Sequence, residues 1–152
     1  KLVLSAGDLN KQVEQVLDFY SAEAKQQEVE IVRYLDADLP HIMMDSRTLQ
    51  AALVNLIKNA IEAMPHGGRL EVRSRPTLKG VALDLIDTGS GMDERTLLNM
   101  FENFFSSKRN GTGLGLPTAK KIIEAHGGLI DVQSAVDRGT QFTLHFPTPR
   151  RI

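Results

Sequence analysis

The chain has no cysteine, which excludes disulfides and thiolate metal sites and leaves a reducing compartment open. It has no excess of either charge. The 18 Lys and Arg nearly balance the 19 Asp and Glu, for a net charge of −1, so nothing favours nucleic acid or an anionic membrane. No apolar run approaches the roughly 20 residues of a membrane helix. Lys1-Leu-Val-Leu4 is too short for the apolar part of a signal peptide. Internal repeats, low-complexity tracts and domain breaks are also missing. What remains is 152 residues, 41% hydrophobic and 24% charged, enough for one domain with a proper core. The start at Lys1 rather than Met leads us to expect a piece of a longer protein.

Hydrophobic periodicity orders the chain. Asp8 to Gln27 reads as a helix capped by Asp8, with Leu9, Val13, Val16, Leu17 and Tyr20 on one stripe. Val29–Leu35 alternates as a strand, and Ile42–Met44 is a shorter one. Asp45 caps the strongest helix. Its apolar face is Leu49, Leu53, Leu56, Ile57, Ala60, Ile61 and Met64, and Pro65 with Gly67-Gly68 ends it. Strands are predicted over Arg69–Arg75 and Val81–Asp87, and a short helix over Asp93–Met100. An irregular stretch runs from Asn103 to Gly115. A helix follows from Pro117 to His126, stopped by Gly127-Gly128. Leu129–Ser134 and Thr140–Phe146 close the domain as strands.

Four short motifs follow one another along this frame: Asn55-Leu-Ile-Lys-Asn59-Ala, Asp87-Thr-Gly89-Ser-Gly91, Phe101-Glu-Asn-Phe-Phe105 and Gly111-Thr-Gly113-Leu-Gly115-Leu116. On the long helix Asn55, Asn59 and Glu62 fall at i, i+4 and i+7, a polar stripe beside the apolar one. An amide oxygen suits Mg²⁺, a hard cation; a solvated helix face is the plainer alternative. Val81, Leu83, Leu85 and Asp87 share a strand face. That places a carboxylate at the rim of the core, where it requires a donor. An adenine amino group is such a donor, and a simple Asp-Thr-Gly turn is the other reading. Thr140 opens the last strand on the same inward face as Phe142, Leu144 and Phe146. Its hydroxyl would hold a water beside Asp87 or bond neighbouring backbone.

The amides of Gly111 to Leu116, opening a helix, make an anion nest. No Gly-Lys-Ser/Thr follows and no good strand leads in, so the loop is neither a Walker loop nor the dinucleotide fingerprint. Lys108 stands just before it. Phe101, Phe104 and Phe105 would anchor a lid or form a satellite cluster under a loop. His41, His66, His126 and His145 are isolated, and none is assigned to catalysis or metal; His66 and His126 sit beside Gly at helix ends, where His is favourable to the dipole.

Together the motifs resemble the N, G1, F and G2 boxes of the catalytic, ATP-binding domain of sensor histidine kinases, within the GHKL (Bergerat-fold) ATPases. Gly139-Thr140 is similar to the last G box. The short lid, Phe-Phe-Ser-Ser-Lys108 before the glycines, is similar to the nitrogen-regulator type. The resemblance covers about Asp8 to Phe146. It implies an α+β fold, a two-layer α/β sandwich of a mixed five-stranded sheet with helices on one face and an ATP lid.

It also implies the cofactors ATP and Mg²⁺ and a division of roles. Asn59 would hold Mg²⁺, with Asn55 beside it. Asp87 would take the adenine amino group, with Gly89, Gly91 and Met92 lining the base. Phe105, Lys108, Gly111, Thr112, Gly113, Leu114, Gly115 and Leu116 would contact the nucleotide from the lid and nest. Thr140 would share a water network with Asp87. Hydrolysing members such as gyrase carry Glu four residues before the metal-binding Asn; here that position is Asn55, an amide and no base. The resemblance therefore implies slow hydrolysis and transfer to a positioned nucleophile. Glu62 is a second candidate base or an outer partner of the metal.

The F box has Asn103 where Pro is usual. No His followed by an acidic residue is present, so the phosphoacceptor helix is missing. Residues 1–7 would be the remnant of its connection, and residues 8–152 one ATP-binding kinase domain. The implied partners are that dimerisation and phosphoacceptor module and a response-regulator receiver domain, with no nucleic acid and no direct membrane contact. The expected location is cytoplasmic, with a monomeric fragment and a homodimeric parent. The alternatives are a GHKL protein-serine kinase of the anti-sigma type, a non-catalytic ATP-sensing module, and a hydrolysing ATPase.

Overall fold

The structure is a computed structural model and describes residues 1–103, 105 and 115–149. Its elements run β1 (Ser5–Gly7), α1 (Leu9–Gln26), β2 (Val29–Leu35), β3 (Ile42–Met44), α2 (Ser46–Glu62), β4 (Gly68–Pro76), β5 (Gly80–Asp87), α3 (Glu94–Asn99), α4 (Gly115–Ala125), β6 (Leu129–Ala135) and β7 (Gly139–Pro147). Five strands form one sheet in the order β2-β4-β5-β7-β6. The β2–β4 pair is parallel and the other three are antiparallel. This is the mixed five-stranded sheet that the family resemblance implied.

The helices cover one face of the sheet. Leu9, Val13 and Leu17 of α1, Leu49, Leu53, Leu56, Ile57 and Ile61 of α2, and Ala119 and Ile123 of α4 are fully buried. They pack with Leu70, Val72, Val81, Leu83, Phe142 and Leu144 from the strands in a single core. Alternation sends the intervening strand residues to the opposite, polar face. There Arg69 and Arg73 pair with Glu71, and Arg73 lies over the Tyr34 ring at 4.7 Å. Buried Asp84 accepts from Arg75 Nε at 3.1 Å and from the Thr143 hydroxyl at 2.8 Å.

Asp8, Asp45 and Asp93 cap α1, α2 and α3, each accepting an amide three residues on. One element is absent from the sequence reading: Ser5–Gly7 pairs antiparallel with Ile42–Met44 as a separate two-stranded sheet. The Val3 N–H reaches Asp45 Oδ2 at 3.0 Å, so the N-terminal segment is tied to the first turn of α2. The Val3 amide, then that of Thr48, hold the Asp45 carboxyl below the usual carboxylate range.

His126 ends α4 in an unexpected way. Its position suggested a dipole contact at a helix end. The ring makes that contact, Nδ1–H donating to Ile122 O at 2.8 Å, but it is also buried, and Nε2 accepts the Asp45 N–H at 3.1 Å. That imidazole bolts the end of α4 to the start of α2.

Candidate functional site

Strand β5, the middle strand of the sheet, ends on Asp87 after Val81, Leu83 and Leu85, and Asp87 is 4% exposed. Oδ1 accepts the Gly89 N–H at 2.9 Å and the Thr140 N–H at 3.2 Å. No donor among the described residues reaches Oδ2. Burial pushes the carboxyl up, and the two amides oppose that shift without cancelling it. The carboxylate is therefore aimed by main chain through one oxygen, with the other free to take an outside donor.

The loop after Asp87 is seated on two neighbours. Gly89 presses on the end of α2, where an added Cβ would meet Ala63 O at 2.6 Å, and the Ser90 N–H donates to that carbonyl at 3.1 Å. Gly91 has φ +69°, and a Cβ there would run into the Ala135 carbonyl. The Met92 side chain is half-buried against the core, and its N–H donates to Ser134 Oγ at 2.8 Å. Thr140 is paired with Asp87 in register. Its hydroxyl lies 2.8 Å from Ser134 Oγ rather than on neighbouring backbone.

Asn55 and Asn59 lie half-buried on one face of α2. A Cβ on Gly115 would stand 3.6 Å from Asn55 Oδ1, so the polar stripe begins beside the start of α4. It ends one turn past Asn59 at Ala63, beside the Asp87 loop. The eight residue steps from Asn55 to Ala63 span about 12 Å of helix, room for a base at one end and phosphates at the other. Glu62 is exposed near the C-terminal end of the same helix.

Among the described residues no group of three or more His, Cys, Asp or Glu is arranged to hold a metal. The paired amide oxygens instead fit a hydrated hard cation that takes part of its shell from a ligand's own oxygens. Gly115 and Leu116 form the first turn of α4. Lys108, Gly111, Thr112, Gly113 and Leu114 lie outside the described residues, as does Phe104. Phe101 packs against the main core, with Lys120 Nζ 5.1 Å from its ring, and Phe105 is half-buried.

Ser134 is the site residue that the sequence reading missed. The signal was present: Ile130, Val132 and Ser134 alternate inward, and a polar residue ends an apolar row, as Asp87 does on β5.

Residues 44–150 match the family described as histidine kinase-, DNA gyrase B-, and HSP90-like ATPase. The chain belongs to that family. Within this ATPase family it is 36% identical to the sensor histidine kinase ZraS of Escherichia coli (strain K12) over 146 residues, 96% of this chain and 31% of that protein. It is 38% identical to sporulation kinase E of Bacillus subtilis (strain 168), over 86% of this chain and 18% of that protein. The chain thus spans about a third or less of the length of these curated relatives. Among solved ATPases of the histidine-kinase kind, the nucleotide-free catalytic domain of ThkA superposes with a TM-score of 0.87 at 28% identity, covering 97% of each chain. Full-length ShkA in complex with AMPPNP gives 0.85 at 27% identity, over 99% of this chain and 33% of that one. The α+β architecture is that of histidine-kinase catalytic domains.

Proposed function

We propose that this ATP-binding domain transfers the γ-phosphoryl group of ATP to a histidine on a dimerisation module of the same protein, from which it passes to an aspartate on a response-regulator receiver domain. The observation that carries the reading is Asp87: one carboxylate oxygen locked by two backbone amides, the other left for an outside donor. An adenine amino group satisfies it. Gly89, Gly91 and Met92 lie along the loop where a flat base would rest, and Gly115 and Leu116 open the helix on the phosphate side.

Asn59 and Asn55 are the residues placed to hold Mg²⁺, which when bound would neutralise charge on the phosphates. Everything else falls to positioning. The chain would fix the base at Asp87 and the phosphates over α2 and α4, and it would present the terminal phosphorus in line to an incoming nucleophile. Asn55 occupies the place where a carboxylate would activate water, so hydrolysis is slow. Among the described residues no helix is long and apolar enough to cross a membrane. A cytoplasmic domain, monomeric alone and dimeric through other parts of its parent, suits the chemistry.

The test mixes this chain with γ-labelled Mg-ATP and the dimerisation module of its parent. The expected result is acid-labile label on the module's histidine with little free phosphate. Rapid release of phosphate by the chain alone, or acid-stable label on a serine, overturns the reading.

A further inference from the structure

The last carbonyls of an α-helix lack the usual intrahelical donor. Gln27, at the C-cap of α1, supplies donors to the end of α2. Its Nε2 donates to Ile61 O at 2.6 Å and to Met64 O at 3.0 Å. A side-chain amide nitrogen has two protons, and both are used. An amide oxygen in that place would face two acceptors, so chemistry puts the NH₂ group there. Glu28, the next residue, accepts the Gly68 N–H on its carbonyl at 3.1 Å. The corner between α1 and β2 therefore holds the segment 61–68 at both ends.

The same turn carries the loop after Asp87. Ala63 O, which lies between those two carbonyls in the chain, accepts the Ser90 N–H at 3.1 Å. A Cβ on Gly89 would meet that oxygen at 2.6 Å, and Thr88 Oγ1 lies 3.6 Å from Met64 Sδ. Three successive loop residues thus rest on residues 63 and 64. We infer that Gln27 is a positioning residue of the nucleotide site: by closing the last turn of α2 it fixes the seat of the loop along which a base would rest. Among the described residues Gln27 makes no hydrogen bond to the loop itself, so it acts through the end of α2. The bearing on a nucleotide rests on the reading of Asp87 given above; the seating of the loop does not.

The experiment pairs native-state hydrogen exchange with calorimetric titration of ADP. Exchange is followed by NMR at the Ser90 amide and, for reference, at the Leu83 and Leu85 amides of β5. Gln27→Met keeps an unbranched side chain of similar length and loses both donors. It is expected to lower Ser90 protection about tenfold relative to β5, the worth of one hydrogen bond, and to weaken ADP binding about three- to tenfold. Gln27→Lys returns a donor to carbonyls at a helix C-terminus. It is expected to keep both quantities within about twofold of wild type, the same single bond being restored.

A residue that only added stability would lower protection at Ser90 and in β5 alike, and would leave the ADP affinity of the folded protein unchanged. Either result in folded Gln27→Met therefore overturns the inference, as do equal losses in Gln27→Lys. Should the methionine variant fail to fold, Gln27→Ala, which lets water reach Ile61 O and Met64 O, carries the same comparison. Failure of the underlying reading looks different: wild type itself would bind no ADP, while the ratio of Ser90 to β5 protection still decides the seating of the loop.

Discussion

Asp87→Asn separates what the carboxylate does for a ligand from what it does for the fold. An asparagine with its carbonyl in the Oδ1 position still accepts from Gly89 and Thr140, now at 2.9 and 3.2 Å, so the loop keeps its path. At the Oδ2 position an acceptor becomes an NH₂ donor. Facing an amino group, that loses a hydrogen bond to a charged acceptor, about 1–3 kcal/mol or about 5- to 150-fold in Kd.

Stability should move the other way. Burial raises the folded-state value of this carboxyl above the unfolded one. Its burden on the fold is thus absent below the unfolded value near ~3.9 and grows as pH rises through the folded value. Asparagine carries no such burden. At neutral pH the variant is expected to melt at the same or a higher temperature than its parent, with the difference vanishing in acid. Calorimetric titration with ADP and scanning calorimetry across pH measure both effects. Equal affinity in a folded variant refutes the base contact; a collapse in melting temperature refutes the claim that the amides alone aim the group.

Asn59→Ala is expected to spare adenosine binding and impair Mg-ATP use; phosphotransfer at the parental rate would mean that the metal lies elsewhere. Gly91→Ala places a Cβ against the Ala135 carbonyl at φ +69° and is expected to destabilise by more than about 1 kcal/mol in urea titration. His126→Ala strips the half-buried Asp45 amide of its acceptor, a loss of about 1 kcal/mol by the same assay. The Asp45 carboxyl is held low by the Val3 and Thr48 amides. Its contribution is present above the unfolded value and is lost as pH falls through the lower folded one. An NMR titration midpoint at or above the ordinary carboxylate value would contradict that.

The main elements were legible because their periodicities are long and unmixed. β2 and β3 have the predicted bounds, α1 and α2 start at the predicted caps, and α3 lies within the predicted Asp93–Met100 stretch. β1 was not legible: Ser5-Ala-Gly7 has no β-branched residue, and its partner lies 35 or more residues away, at Ile42–Met44. Asp87 and Thr140 were legible as polar ends of apolar rows, and the mixed sheet only through the family resemblance. The strand order was not, because spacing does not say that β7 inserts between β5 and β6. The hydroxyl partnership of Thr140 and the approach of Asn55 to Gly115 are tertiary facts. His126 shows the limit most clearly: the helix-end contact was legible and is made to Ile122 O, while the long-range acceptance of the Asp45 N–H was not.

Both restraints on Asp87 come from peptide groups, at Gly89 and Thr140, and peptide groups survive side-chain replacement. The aim of the carboxylate is thus inherited from the course of the backbone. Lineages can drift in the residues around it, and even exchange the threonine, while the anchored oxygen stays put.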